Sequence, residues 1–160
     1  MYTGKHAHLR PLQPAFIMAG SGEALTYAEL EARSNRLAHL FRARGLRRLD
    51  HYAIFMENNS RYLEACGAGE RSGLYYTCVN SYLTASEVAY IVDNSESRIL
   101  ITSTAKLDIA REVLAQCPKV ELCIVVDGDG ESDRIVGLRE ATRGLPKTPI
   151  ADECIGTAML

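Results

Sequence analysis

The residues that could do chemistry are scattered along this chain. Gly67-Ala68-Gly69 comes nearest to a glycine-rich phosphate cradle. It lacks the lysine of a P-loop and the third glycine of the dinucleotide fingerprint, and it lies inside a helical pattern instead of between a strand and a helix. Close helix packing is its expected role. Arg33, Arg36, Arg42, Arg44, Arg47 and Arg48 make a basic stretch that could draw phosphates or an acidic partner. Glu29, Glu31 and Asp50 are interleaved with them, so a solvated helix face with favourable charge at its C-terminal end is expected. His6 and His8 have no third ligand at metal-binding spacing, and His39 and His51 stand alone. The five cysteines, Cys66, Cys78, Cys117, Cys123 and Cys154, form no Cys-x-x-Cys pair, so reduced thiols acting as small hydrophobes are expected. No Gly-x-Ser-x-Gly elbow presents a serine nucleophile. No residue is assigned as catalytic, cofactor-binding or metal-binding on these grounds.

Those residues must be positioned by something that folds. A chain of 160 residues with 47% hydrophobic and 24% charged side chains has the length and composition of one ordinary globular core. A formal net charge of -2 creates no field that would gather nucleic acid or an anionic membrane. No apolar run approaches the roughly 20 residues of a bilayer span, and residues 1–6 lack the apolar centre of a signal peptide, which points to the cytoplasm.

Short β-rich runs alternate with longer helical patterns, the signature of an α/β fold with a mostly parallel sheet and flanking helices. Residues 1–13 read as a flexible terminus, 14–18 as a strand and 19–22 as a turn. Thr26 and Glu29 have capping-box spacing, so a helix should start there, with Gly45 as its left-handed stop. Strands are expected at 52–56, 74–79, 98–102 and 121–126. Helices are expected at 60–73, after a second capping box at Thr84 and Glu87, around 107–114, and from Val136 to Ala141. Asp127-Gly128-Asp129-Gly130 reads as a turn using the positive φ that glycine tolerates. Residues 144–153 read as a surface connection, and 154–160 as a strand entering the core. An apolar ending of that kind suggests a longer parent and a single incomplete domain over 1–160.

Leu25-Thr26-Tyr27-Ala28-Glu29-Leu30 resembles the first signature of the adenylate-forming superfamily, which includes acyl-CoA and aryl-CoA synthetases, luciferase and peptide-synthetase adenylation domains. The resemblance continues in order through Ser34-Asn35-Arg36-Leu37-Ala38, Asp50-His51-Tyr52-Ala53-Ile54 and Asn58-Asn59-Ser60-Arg61-Tyr62-Leu63-Glu64-Ala65. Gly69-Glu70-Arg71-Ser72-Gly73-Leu74-Tyr75-Tyr76 then resembles the second signature, in a wording similar to bacterial fatty-acyl and related CoA synthetases. One departure is Leu49-Asp50, where many relatives have Gly-Asp, so the turn before that strand is expected to differ.

The resemblance implies the N-terminal portion of an AMP-forming acyl-CoA synthetase. Such an enzyme activates a carboxylate, here a fatty acid by the nearest branch, as an acyl-adenylate and then passes it to CoA. It also implies ATP, CoA and Mg2+ for the full-length family. The Ser/Thr/Gly-rich phosphate loop, the acidic magnesium site, the ribose-binding residues and the lysine of the C-terminal lid are not among these 160 residues. This chain alone is therefore expected to be inactive and to bind none of those groups tightly, and its unfinished surface is expected to favour self-association. The rival expectation is a non-catalytic flavodoxin-like module that binds a nucleotide or a partner.

Overall fold

The computed structural model describes residues 3–159. Its elements run α1 (Gly4–Leu9), β1 (Pro14–Ile17), β2 (Ala24–Thr26), α2 (Tyr27–Ala43), β3 (His51–Phe55), α3 (Tyr62–Arg71) and β4 (Tyr75–Val79). They continue with α4 (Ala85–Asn94), β5 (Ile99–Thr102), α5 (Leu107–Gln116), β6 (Leu122–Val125), β7 (Ile135–Gly137), α6 (Leu138–Ala141) and β8 (Thr157–Met159). Six strands form one parallel sheet in the order β7-β6-β5-β3-β4-β8, while β1 and β2 pair separately as an antiparallel ribbon.

Successive side chains of a strand point to opposite faces, and in a parallel sheet helices cover both. Tyr52 and Ile54 of β3 accordingly pack in one apolar layer with Leu37 and Phe41 of α2 and Ala65 and Ala68 of α3. Ala53 and Phe55 pack in the other with Val88 and Val92 of α4 and Val113 of α5. This two-sided burial explains why β6 reads as an unbroken apolar run and β5 as one closed by a threonine, whose hydroxyl donates to the Phe55 carbonyl: all four residues of each are buried.

Both capping boxes form. The Thr26 amide donates to Glu29 Oε2 at 2.9 Å and the Glu29 amide to Thr26 Oγ1 at 3.3 Å. The Thr84 amide donates to Glu87 Oε2 at 2.8 Å. Gly45, with φ of 81°, ends α2 in the left-handed region as expected. Leu49 also has positive φ, 74°, so the turn before β3 keeps the backbone shape that suits a glycine while carrying a leucine.

Several expectations are corrected. The run from Val136 is not helical at its start: Ile135–Gly137 is β7, whose register sets Val136 beside Ile124 of β6, and only Leu138–Ala141 is helix. An existing parallel neighbour offers backbone partners there that a helix start would leave open. Gly128 and Gly130 do not have positive φ. They are needed for close approach, since a Cβ on Gly128 would lie 2.6 Å from Thr104 Oγ1 and one on Gly130 2.9 Å from the Ile135 carbonyl. The turn after β1 leads into a strand, β2, too short to show any periodicity.

Within the stretch expected to be a flexible terminus, Gly4–Leu9 is helical and Thr3 is buried, its hydroxyl donating to Glu31 Oε2 at 2.8 Å; residues 1 and 2 lie outside the described residues. The 144–153 stretch has no regular element and lies along α2: Asn35 Nδ2 donates to the Lys147 carbonyl at 2.8 Å, and Ile150 is buried. The expected strand at 154–160 narrows to β8, parallel to β4; Ile155 before it is exposed, and Leu160 lies outside the described residues.

Candidate functional site

β3 is the first strand laid into the large sheet, and the chain then builds on both sides of it, β4 to one side and β5 to the other. Where strand order reverses in this way, connections leave the carboxyl ends in opposite directions and open a crevice in which α/β proteins bind ligands. Glu57 and Asn59 follow β3 at this edge, Ser103 and Thr104 follow β5, and Asp127 follows β6. They form one hydrogen-bonded chain. Ser103 Oγ donates to Glu57 Oε2 at 2.5 Å, Asn59 Nδ2 to Asp127 Oδ2 at 2.8 Å, and the Thr104 amide to Asp127 Oδ1 at 2.7 Å.

Burial alone would raise the Glu57 carboxyl. Hydrogen bonds from Ser103, its own backbone amide and Asn59 outweigh that and hold it below the usual carboxylate range. Asp127 is lowered in the same way: burial opposes, and the Thr104 amide and hydroxyl with Asn59 prevail. Beside this chain a cavity of about 360 Å³ is lined by Met18, Ser21, Glu23, Asn58, Asn59 and Asp127. On the β4 side of the edge, Tyr82 is 91% exposed and Lys106 Nζ lies 5.9 Å from its ring centroid. The edge can therefore hold and orient a polar ligand. Its carboxylates are occupied by hydrogen bonds, and among the described residues no three metal-ligating side chains converge. The described residues at this edge do not make up a magnesium-nucleotide site.

The dispersed candidates fall elsewhere. Gly67 and Gly69 act in packing: a Cβ on Gly67 would lie 2.7 Å from Ser34 Oγ, and one on Gly69 2.2 Å from the Tyr52 hydroxyl oxygen. That hydroxyl donates to the Ala65 carbonyl at 2.6 Å, locking α3 onto β3. The His6 ring centroid is 5.1 Å from that of Tyr27, that of His51 is 5.1 Å from Tyr75, and His39 Nε2 is 2.9 Å from the Thr148 carbonyl oxygen.

The basic stretch divides. Arg42 donates to the Ser72 and Leu46 carbonyls and pairs with Asp152 at 3.0 Å, and Arg47 donates to the Arg42 and Leu46 carbonyls. Arg33 and Arg36 instead line a cleft with Arg61, Arg139 and Arg143. Nothing in sequence spacing joins those five.

Two further residues carry more than their sequence neighbourhood suggests. Arg71 is 1% exposed. Its guanidinium donates to both Glu31 oxygens at 2.7 and 2.8 Å, to Asn35 Oδ1 at 2.5 Å, to Thr3 Oγ1 at 3.3 Å and to Glu153 at 3.5 Å. Cys78, expected as a core hydrophobe, is exposed on β4. Hydrogen bonding from the Cys66 thiol, with Tyr62 aiding and the partial burial that remains opposing, holds the Cys78 pKa below its ordinary value, whereas Cys117 and Cys123 are buried as expected.

The sequence matches the AMP-binding enzyme family over residues 4–153. It is 34% identical over 116 residues to 3-oxocholest-4-en-26-oate--CoA ligase of Rhodococcus rhodochrous, covering 72% of this chain and 21% of that protein. It is 37% identical over 98 residues to a fatty acid--[acyl-carrier-protein] ligase of Streptomyces coeruleorubidus, covering 61% of this chain and 18% of that one. The chain thus spans about a fifth of the length of these curated relatives. The fold superposes on the crystal structure of an anthranilate CoA ligase in complex with anthranoyl-AMP, with a TM-score of 0.85, 17% identity, and coverage of 96% of this chain and 29% of that one. A parallel sheet with a switch point at β3, in a sequence matched almost throughout, places this chain in the AMP-binding enzyme family.

Proposed function

We propose that this chain is the N-terminal scaffold of an ATP-dependent, AMP-forming acyl-CoA synthetase. On this reading residues 1–160 are one incomplete domain, a portion of the AMP-binding domain. The parent joins a fatty acid or related carboxylate to AMP and then to CoA in the cytoplasm, using ATP and Mg2+. The carrying observation is the switch-point crevice: a polar, rigid edge in a member of this family that spans about a fifth of its relatives' length. The ligase names of the relatives support the reaction, and two of them name a fatty acid or a sterol-derived acid as the substrate.

Catalysis requires groups that stabilise charge developing at the transferred phosphorus more strongly than in the ground state. The residues at the crevice are carboxylates and amides already paired with one another, so the isolated chain should not turn over. Incubated with ATP, magnesium, CoA and fatty acids of several lengths, it should release no AMP above background. CoA-dependent AMP release from the 160-residue chain would overturn this. Calorimetry with ATP and with CoA separates the rival module, which micromolar binding at the switch-point crevice, lost in Asp127→Asn, would favour.

A further inference from the structure

Arg33 and Arg36 are three residues apart on α2 and share one helical face. Facing them are Arg61 at the start of α3, Arg139 on α6 and Arg143 just beyond it, around a cavity of about 430 Å³. The carboxylate within this cleft is Glu64, which is 3% exposed and accepts from Arg61 Nη1 at 2.9 Å. Arg33 Nη1 and Arg36 Nε are buried with no hydrogen-bond partner among the described residues.

A buried donor that lacks an acceptor is costly, and more so when it carries charge, so folded proteins rarely leave one unmatched. Five guanidinium groups face a single carboxylate here, and that carboxylate is already held by Arg61. The cleft therefore has an excess of positive charge and open donors in planar forks. Such forks match the several oxygens of a phosphate group, which accept pairs of parallel N–H bonds and carry more charge than a carboxylate.

We propose that this cleft binds a phosphate-class anion, a diphosphate that is either free or borne on a small nucleotide. The site adjoins the switch-point crevice through Arg61, which lines both cavities. The proposal does not rest on the ligase reading, because it draws only on the charge balance and the unmatched donors of these helices.

The test is calorimetric titration of the chain with inorganic pyrophosphate, without metal, at low and at physiological salt. Saturable binding that weakens with salt is expected. Arg139 and Arg143 are exposed and can be changed without disturbing the core. The double variant Arg139→Gln/Arg143→Gln should weaken binding on the order of tenfold or more, the scale of losing charge-assisted hydrogen bonds. Arg33→Gln/Arg36→Gln should do the same, with circular dichroism confirming the fold, and Arg111→Gln on α5 should leave binding unchanged. A parallel titration with ADP distinguishes the source: equal or tighter ADP binding with the same losses assigns a nucleotide, and pyrophosphate binding alone assigns the free anion. No saturable binding of either, or equal losses in Arg111→Gln and the cleft variants, would overturn the proposal.

Discussion

Arg71 is enclosed almost completely, with its guanidinium shared among Thr3, Glu31, Asn35 and Glu153. Removing one partner of a buried ion pair leaves the other uncompensated, so Arg71→Ala should lower the unfolding free energy by about 3–5 kcal/mol, read from urea denaturation. Glu31 adds a pH dependence. Burial would raise its carboxyl, but hydrogen bonding and charge from Arg71, then hydrogen bonds from Thr3 and Asn35, lower it below its ordinary value of 4.5. Because the folded value is depressed, the stability this carboxylate supplies is complete above about pH 4.5 and is lost as pH falls through the lower folded value. Denaturation midpoints measured between neutral pH and pH 3 should therefore fall less steeply in Glu31→Gln than in the unaltered chain. No sequence pattern marks Arg71 as buried, since its partners come from three separate segments: Thr3, α2 and Glu153. The packing role of Gly67 and Gly69 was legible, because glycines inside a helical pattern imply a close neighbour on each face they occupy, here Ser34 and Tyr52.

Elements were legible where their cause is local. Thr26 and Glu29 lie within one turn of each other, so the start of α2 could be placed from spacing alone; Thr26→Ala should cost about 1 kcal/mol, measured as a shift of the denaturation midpoint at constant slope. Contact across elements matters more at Gly69. A methyl there would overlap the Tyr52 hydroxyl, which is buried and donates to Ala65, so Gly69→Ala should destabilise by about 1–3 kcal/mol through overpacking between α3 and β3. β7 was not legible for the opposite reason. Three residues carry no period, and what makes Ile135–Gly137 a strand is the presence of β6 beside it.

For the molecule as a whole, the strand–helix alternation implied a parallel sheet, but the order β7-β6-β5-β3-β4-β8 depends on which side of β3 each later strand joins. The switch point, and with it the candidate site, follows from that order and so could not be read along the chain. Two outer strands and exposed Tyr82, Tyr90 and Ile155 leave apolar and backbone surface available to a second copy, so light scattering should show the average mass rising with concentration. A monodisperse monomer at high concentration would contradict this. The Arg71 contacts have one more consequence at this scale. They fasten Thr3 and Glu153 to a single side chain, so remote ends of the chain share one mooring. A protease that nicked the backbone just behind Leu9 would free Thr3 from that mooring, and the slackening would register at Glu153 as faster amide exchange in the 144–153 stretch that lies along α2.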